Sequence, residues 1–305
     1  MSVISTRGLT KRFRAVQALR GVDLDVEAGT IFGLIGPDSA GKTTLIRILV
    51  GVMTFDGGAA TVLGYDMRRD RERVKAHIGY MSQSFSLYKD LTVKENLLFF
   101  AQLFGTPLAE ALEQMPRLLE FSKLTDFVDF RAAALSGGMK QKLALAGCLI
   151  HRPKILFLDE PTNGVDVVAR AEFWNILRGL KADGITIFVS TTYMDEADYC
   201  DRLGYLHGGG MRAVASPAEI RGMFTRRVYK VHAAEPRRVK PLIEALPETV
   251  GANFFGEVLH VDSTATADEM HRALTDIERE TGVAIVWEEA VPTLEDVIVG
   301  LDREQ

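Results

Sequence analysis

Cysteine is nearly absent from the 305 residues: only Cys148 and Cys200 occur, far apart and in no C-x-x-C. That excludes a disulfide framework and a cysteine-based zinc site, and predicts two small buried hydrophobes. No apolar run approaches the roughly 18 residues needed to cross a bilayer. The opening M-S-V-I-S-T-R-G-L-T-K-R-F has no apolar signal-peptide core. The expectation is a cytosolic chain, or one held at a membrane through something else. A basic excess is also missing. The formal charge is −5; residues 225–305 hold 9 Lys+Arg against 16 Asp+Glu (net −7), and residues 1–224 hold 27 against 25 (net +2). Neither half is the basic surface of a nucleic-acid binder. What remains, 47% apolar and 25% charged residues, suits one large or two modest domains with real cores.

One stretch organises this ordinary composition, I-F-G-L-I-G-P-D-S-A-G-K-T-T-L-I-R-I-L over residues 31–49. The apolar run Ile31 to Ile35 reads as a buried strand, and Leu45, Ile46, Ile48 and Leu49 recur at helical spacing. Between them Gly36, Pro37, Asp38, Ser39, Ala40, Gly41, Lys42 and Thr43 match G-x-x-x-x-G-K-[ST], the phosphate-binding loop, with Thr44 following. By chance the pattern arises about once per hundred chains of this size. Unpaired N–H groups at a helix start suit phosphate oxygens. Gly36 and Gly41 are expected to let the backbone approach the ligand. Lys42 would reach the β- and γ-phosphates, and the Thr43 hydroxyl would sit on Mg²⁺.

Upstream, residues 1–30 read as an antiparallel strand pair, with Val22, Leu24 and Val26 alternating with Asp23 and Asp25. Phe13 precedes this unit, either to stack on a base or as a core or turn hydrophobe. Downstream, Gly51 to Gly64 reads as loop, with Gly57-Gly58 a turn. Ile78 to Gln83 reads as a short strand ending on a polar side chain. Thr92 with Glu95 forms a capping box, and Val93, Leu97, Leu98, Ala101 and Phe104 follow helical spacing. Leu108 to Phe121 is a second helix-like stretch, expected to break near Pro116. This region is a helical insertion, not part of the sheet.

A second decisive stretch is L-S-G-G-M-K-Q, Leu135, Ser136, Gly137, Gly138, Met139, Lys140 and Gln141, running into the helical pattern Leu143 to Ile150. Small residues before a helix make another possible anion site. Ile155-Leu156-Phe157-Leu158-Asp159-Glu160 then suits a strand covered on both faces, with two carboxylates at its C-terminal end, where open α/β sheets place their sites. Asp159 is placed to hold Mg²⁺, and Glu160 to deprotonate an attacking water.

Together these motifs resemble the ATPase subunit of ATP-binding cassette (ABC) transporters, particularly single-cassette subunits of drug-exporter type. The resemblance covers roughly residues 3–220. G-P-D-S-A-G-K-T-T is similar to the Walker A loop, Gln83 sits at the Q-loop position, and L-S-G-G-M-K-Q is similar to the ABC signature. I-L-F-L-D-E-P-T-N-G-V-D resembles Walker B with a D-loop ending at Asp166. Phe13 fits the adenine-stacking aromatic. The implied fold is an α/β P-loop NTPase (ABC ATPase) domain over 1–222, with an antiparallel β subdomain and a helical subdomain at about 86–134. A small α+β C-terminal accessory domain over 223–305 would follow.

The implied function is an ATP-binding and hydrolysing motor subunit for export through separate integral membrane permease subunits. It would sit in the cytoplasm, peripheral on the inner face of the cell membrane. Two cassettes, as a homo- or heterodimer, would hold each ATP between one chain's Walker A and the other's Ser136, Gly137 and Gly138. Thr43, Gln83 and Asp159 would serve Mg²⁺, with Glu160 as general base. The apolar Phe85, Leu87 and Tyr88 would touch the membrane subunit. Nucleic acid is not an expected partner.

Three positions depart from the family. Asp38-Ser39 stands where Asn-Gly is usual, and Thr192 where His is usual. A carboxylate about 4 Å from a phosphate would cost roughly 4 kcal/mol at an effective dielectric near 20, about a thousandfold in affinity. Asp38 is therefore expected to point away and hydrogen-bond locally. Ser39 would strain the loop if φ is positive there. These departures leave open a slowly hydrolysing module acting as the regulatory half of an asymmetric pair; a soluble ABC ATPase is the other alternative.

Beyond Ala215-Ser216-Pro217, strands at Val228 to Ala233, Gly251 to Phe255, Val258 to Val261 and Val283 to Glu288 alternate with helices at Arg237 to Leu246 and about Ala267 to Arg279. The order β-α-β-β-α-β is that of a ferredoxin-like split unit. A last short helix starts at Pro292-Thr293.

Overall fold

A computed structural model describes residues 1–83 and 87–303, the side chains of 301–303 excepted. The chain separates into two compact units, Met1–Ser216 and Pro217 onward.

In the first unit, β1 (Ser2–Phe13) and β2 (Val16–Glu27) form an antiparallel hairpin that buries Ile4, Leu9, Leu19, Val22, Leu24 and Val26, with register shifts on either side of Leu9 interrupting the alternation. Strand β3 (Ile31–Ile35), buried along its whole length, leads to α1 (Lys42–Leu49). Strands β4 (Gly57–Val62) and β5 (Tyr65–Asp66) then extend the hairpin into a sheet of order β2-β1-β4-β5. Helix α2 (Arg71–Lys75) and β6 (Ile78–Met81) follow.

The Gly57-Gly58 pair, whose composition predicts a turn, opens β4 instead. Gly58 runs at φ +82°, and a Cβ there would stand 2.3 Å from the Gly8 carbonyl oxygen. The pair serves a close crossing of β1, where the pairing register shifts between Arg7 and Thr10.

The helical insertion comprises α3 (Val93–Leu103), α4 (Leu108–Ser122) and α5 (Gly137–Leu149). The Thr92–Glu95 capping box forms at the start of α3. Pro116 does not interrupt α4, which runs unbroken through it. The carbonyl that loses its partner belongs to Leu112, a residue on the exposed face, where water can reach it. Helix α5 is buried from Lys142 onward, and its Gly147 admits the ring of Phe100 from α3; a Cβ there would sit 2.6 Å from that ring.

Strand β7 (Ile155–Asp159), α6 (Val167–Ala182), β8 (Thr186–Thr191), β9 (Arg202–His207) and β10 (Gly210–Ala215) complete the unit. The main sheet has the order β10-β9-β3-β8-β7-β6, parallel except for β10. Helix α1 shares one core with both sheets: Leu45, Ile46 and Leu49 pack with Val22 and Leu24 on one side and Phe157 and Phe188 on the other. That layering fixes where the N-terminus of α1 emerges. Cys148 and Cys200 are free and buried; burial pushes the Cys148 thiol up to about 12, so both behave as small hydrophobes.

The second unit opens with α7 (Pro217–Gly222), so the division falls at Ser216 and not at residue 222. It continues with β11 (Arg227–Ala233), α8 (Pro236–Glu244), β12 (Thr249–Phe255), β13 (Val258–Ser263), α9 (Ala267–Thr281), β14 (Ile285–Ala290) and α10 (Leu294–Arg303). The sheet order is β12-β13-β11-β14, every pair antiparallel. Tyr229, Val231, Leu259 and Val261 pack with Val239 and Ile243 of α8 and with Met270, Leu274 and Ile277 of α9. Thr266 and Glu269 cap α9 reciprocally. Helix α10 is tied to the sheet by a buried His260 Nδ1–Asp296 Oδ1 contact of 2.8 Å.

Candidate functional site

Strands β3, β8 and β7 lie side by side and parallel, so their C-terminal ends share one edge: Ile35 pairs with Thr191, and Asp159 with Ser190. Three loops leave that edge together, which is where open α/β sheets hold ligands. The glycines of the first loop are hemmed in by the chain's own backbone. A Cβ on Gly36 would stand 2.1 Å from the Leu206 carbonyl oxygen, and one on Gly41 2.6 Å from that of Ala18. Ser39 takes φ +64°, the left-handed conformation that was the condition for strain, at about 1–2 kcal/mol for a side-chain-bearing residue. Asp38 is exposed and makes no side-chain hydrogen bond among the described residues. The local bond expected of it fails because Ala40 N–H, two residues on, donates to Pro37 O at 3.3 Å.

Lys42 opens α1 and is 4% exposed. Its Nζ donates to Gly36 O at 2.8 Å and Pro37 O at 3.0 Å, and stands 3.5 Å from Glu160 Oε1. Thr43 Oγ1 donates to Asp159 Oδ1 at 3.1 Å, and Ser190 Oγ donates to the same oxygen at 2.8 Å. Glu160 lies at φ +49°; its N–H is held by Ser190 O and Oγ at 3.2 and 3.1 Å. Glu160 Oε2 accepts Gln83 Nε2 at 2.9 Å. The structure thus brings together Lys42, Thr43, Gln83, Asp159 and Glu160, drawn from three separated segments.

Asp159 Oδ2 is buried with no hydrogen-bond partner among the described residues. An orphaned buried carboxylate oxygen beside a threonine hydroxyl is a donor set that fits a divalent cation. No group of three or more His, Cys, Asp or Glu among the described residues could hold a metal by itself. A cation here would therefore draw the rest of its oxygens from elsewhere, as Mg²⁺ does from phosphates and water.

Lys42, Thr43, Gln83 and Glu160 face a cleft of about 400 Å³, within the range of small-molecule sites; Asp159 lies buried outside its lining. Besides Asp38 to Thr44, Gln83 and Glu160, it is lined by Val16, Gln17, Ala18 and Arg20 of the hairpin and by Gly208 and Gly209. Sequence reasoning missed these walls; the His207-Gly-Gly-Gly run after an apolar strand was the available signal. Gly209 N–H donates to Ala40 O at 3.1 Å, and Arg20 N–H to Gly209 O at 2.7 Å, which closes the wall onto the loop.

Other candidates lie outside the cleft lining. Phe13, 43% exposed at the end of β1, is not a core residue and does not line it. Thr192 follows β8, half-buried, with no side-chain hydrogen bond among the described residues. Leu135 is buried. Ser136 caps α5, accepting from Met139 N at 3.3 Å; Gly137 is exposed, and Met139 and Gln141 are half-buried. A Cβ on Gly138 would meet Ala169 Cβ at 2.8 Å, whereas one on Gly137 would meet nothing within 4 Å. Asp166 caps α6 through Ala169 N at 2.9 Å. Phe85 lies outside the described residues; Leu87 is half-buried and Tyr88 exposed. Among the described residues no helix is long and apolar enough to cross a membrane.

A family model described as ABC transporter matches residues 19–163. The Nod factor export ATP-binding protein I of Rhizobium sp. (strain N33) is 37% identical over 300 residues, covering 98% of this chain and 96% of that protein. "Probable multidrug ABC transporter ATP-binding protein YbhF" of Escherichia coli (strain K12) is 41% identical over 220 residues, 72% of this chain; the matched part is 38% of that relative's length. Among solved structures, an ATP-binding cassette of an ABC transporter in its ADP conformation superposes with a TM-score of 0.66 at 29% identity, over 72% of this chain and 92% of that one.

Proposed function

Because the chain belongs to the ABC transporter ATP-binding proteins, we propose that it binds and hydrolyses ATP to drive export through separate membrane-embedded permease subunits. The observation that carries this reading is the convergence of Lys42, the Thr43–Asp159 pair and Glu160 at one sheet edge, beside an orphaned carboxylate oxygen. The loop amides and Lys42 bind the β- and γ-phosphates of ATP. Thr43 and Asp159, with Gln83, would hold Mg²⁺, which when bound neutralises phosphate charge. Glu160, oriented by Gln83 and by its own pinned N–H, takes the proton of the attacking water.

Gly137 supports a second cassette. Its φ is not in the left-handed region and nothing in the chain crowds it, so the fold does not require glycine there. A ligand arriving from outside does: the γ-phosphate held on another copy's Walker A loop, approached by Ser136, Gly137 and Gly138. Phe13 stacks on adenine from the exposed end of β1, and Asp166 stands at the pairing surface. Thr192 offers a short neutral hydroxyl where an imidazole would reach phosphate and glutamate, so turnover is slow, and the chain serves as the weaker half of a pair if its partner is complete.

The stretch after Gln83, through Leu87 and Tyr88, meets the permease on the cytoplasmic face of the membrane. The relatives' names speak of multidrug and Nod factor export, and cargo of that kind is selected in the permease. The second unit, with its β-α-β-β-α-β order and antiparallel sheet, is read as a ferredoxin-like accessory domain.

Calorimetry with Mg-ATP tests the site directly. Lys42→Ala should abolish binding with circular dichroism unchanged; retained affinity contradicts the reading. In the same preparation Thr192→His should raise turnover several-fold, since one missing transition-state donor lowers it about 10²–10³-fold. A wild type at tens per second with no gain from Thr192→His would clear Thr192 as a defect.

A further inference from the structure

Beneath the three loops lies a buried connection that the proposed chemistry does not use. Glu196 sits in the short helical turn Met194–Tyr199, 1% exposed. Its two oxygens accept two different hydroxyls, Oε1 from Thr162 Oγ1 at 2.7 Å and Oε2 from Thr191 Oγ1 at 2.6 Å. Both threonines are as deeply buried as Glu196. Thr162 stands two residues after Glu160, and Thr191 immediately before Thr192. Thr191 Oγ1 also accepts Tyr193 N–H at 3.0 Å.

The Glu160–Thr162 turn is therefore pinned at both ends to the same neighbouring region. Its entry is held by Ser190 on the Glu160 N–H, and its exit by Glu196 on the Thr162 hydroxyl. Between the two pins the backbone carries the left-handed φ of Glu160, a conformation that persists only where the surroundings impose it. Residues 160–162 and the end of β8 are linked below the cleft by one carboxylate, in a chain whose position 192 lacks the imidazole that would link them above it.

We infer that Glu196 is a positioning residue for hydrolysis: by gripping Thr162 and Thr191 together, it fixes the strained turn that aims Glu160 and couples it to the segment carrying Thr192. A carboxyl group with two oxygens is the chemistry this requires, because each oxygen accepts from a different hydroxyl. An amide keeps one accepting oxygen and puts an NH2 group in place of the other, so with Gln at 196 one threonine hydroxyl would have to turn from donor to acceptor. A buried polar network of this kind fails as a unit.

The inference rests on the ATPase reading, and its test separates the two. Turnover, KM and nucleotide affinity are measured on the purified chain for wild type, Thr162→Val, Thr162→Ser, Thr191→Val and Glu196→Gln, with Lys42→Ala as the control for the reading itself. Thr162→Val, nearly isosteric, should lower kcat about ten- to a hundredfold, the scale of a misplacement near 1 Å. Affinity and KM should stay at wild-type values, and Thr162→Ser should restore kcat. Glu196→Gln combined with Thr162→Val should cost no more than the worse single change, as expected for members of one network. A role confined to stability would lower the melting temperature and leave the kcat of the folded protein alone. If Glu196→Gln fails to fold, the two threonine variants still decide. Wild-type kcat in both Thr162→Val and Thr191→Val overturns the inference while leaving the ATPase reading standing; turnover that survives Lys42→Ala overturns both.

Discussion

The two glycine-bearing loops of the first unit look alike in sequence, each a run of small residues opening a helix, and differ in what their glycines serve. In the loop at 36–43 the glycines are demanded from within: the carbonyls of Leu206 and Ala18 occupy the space a side chain would need. That loop is a finished structure, closed by Gly209 and backed by Lys42 folded onto its own carbonyls. In the loop at 135–139 only Gly138 is crowded, by Ala169 of α6, and Gly137 faces open space. The first loop is packed within one chain, whereas the second leaves open space beside Gly137. A glycine the fold does not need is thus better evidence of an outside contact than one it does.

Substitution separates the two cases. Gly36→Ala places a Cβ against backbone that cannot yield, and should cost about 2–4 kcal/mol of stability along with nucleotide binding, read as a lowered urea midpoint and a lost calorimetric signal. Gly137→Ala should leave stability within about 0.5 kcal/mol and nucleotide affinity unchanged, yet reduce turnover about 10²–10³-fold. Equal losses of stability in the two variants would erase the distinction.

A smaller effect concerns how the second loop is held. Helix α5 is tied to α6 by Lys142 and Glu172, and Lys123 at the end of α4 reaches the same carboxylate at 3.0 Å. The hydrogen bonds from Lys142 first, then Lys123, hold the Glu172 carboxyl below its ordinary value of 4.5. A carboxyl depressed in the folded state contributes stability that is complete above the ordinary value and is lost as pH falls through the depressed one. The packing of α5 should therefore weaken below about pH 4.5, and Glu172→Gln should flatten that part of the urea-midpoint profile while leaving Mg-ATP affinity at neutral pH untouched. An unchanged profile would show that this pair does not hold the signature helix.

How much of this was legible in the sequence depended on the reach of each interaction. The strand, loop and helix at 31–49 and the strand ending in Asp159-Glu160 are local patterns, and the capping box at Thr92 spans only four residues; all could be read directly. Gly57-Gly58 was misread because a glycine pair that permits a turn equally permits a close strand crossing, and only the path of β1 decides between them. Pro116 was misread because breaking a helix depends on whether the freed carbonyl is buried, and that of Leu112 is not. The cleft walls at Gln17, Arg20 and Gly209 and the Glu196 clamp come from segments far apart in the chain, brought together by sheet order. No spacing rule reports such a contact. Ser39 was legible as a condition, strain if φ is positive, and its backbone meets that condition.

The central claim, that one chain's phosphate loop works with another chain's signature loop, is tested most directly by mixing two defective proteins. Lys42→Ala keeps an intact signature and loses its phosphate site; Gly137→Ala keeps the phosphate site and loses the signature. Each alone should hydrolyse ATP at background rate. In an equimolar mixture half the pairs are mixed, and each mixed pair holds one intact composite site of two, so activity should recover to about a quarter of wild type. Recovery on mixing is the predicted result; a mixture that stays at background, with pairing demonstrated by sedimentation, would contradict the account.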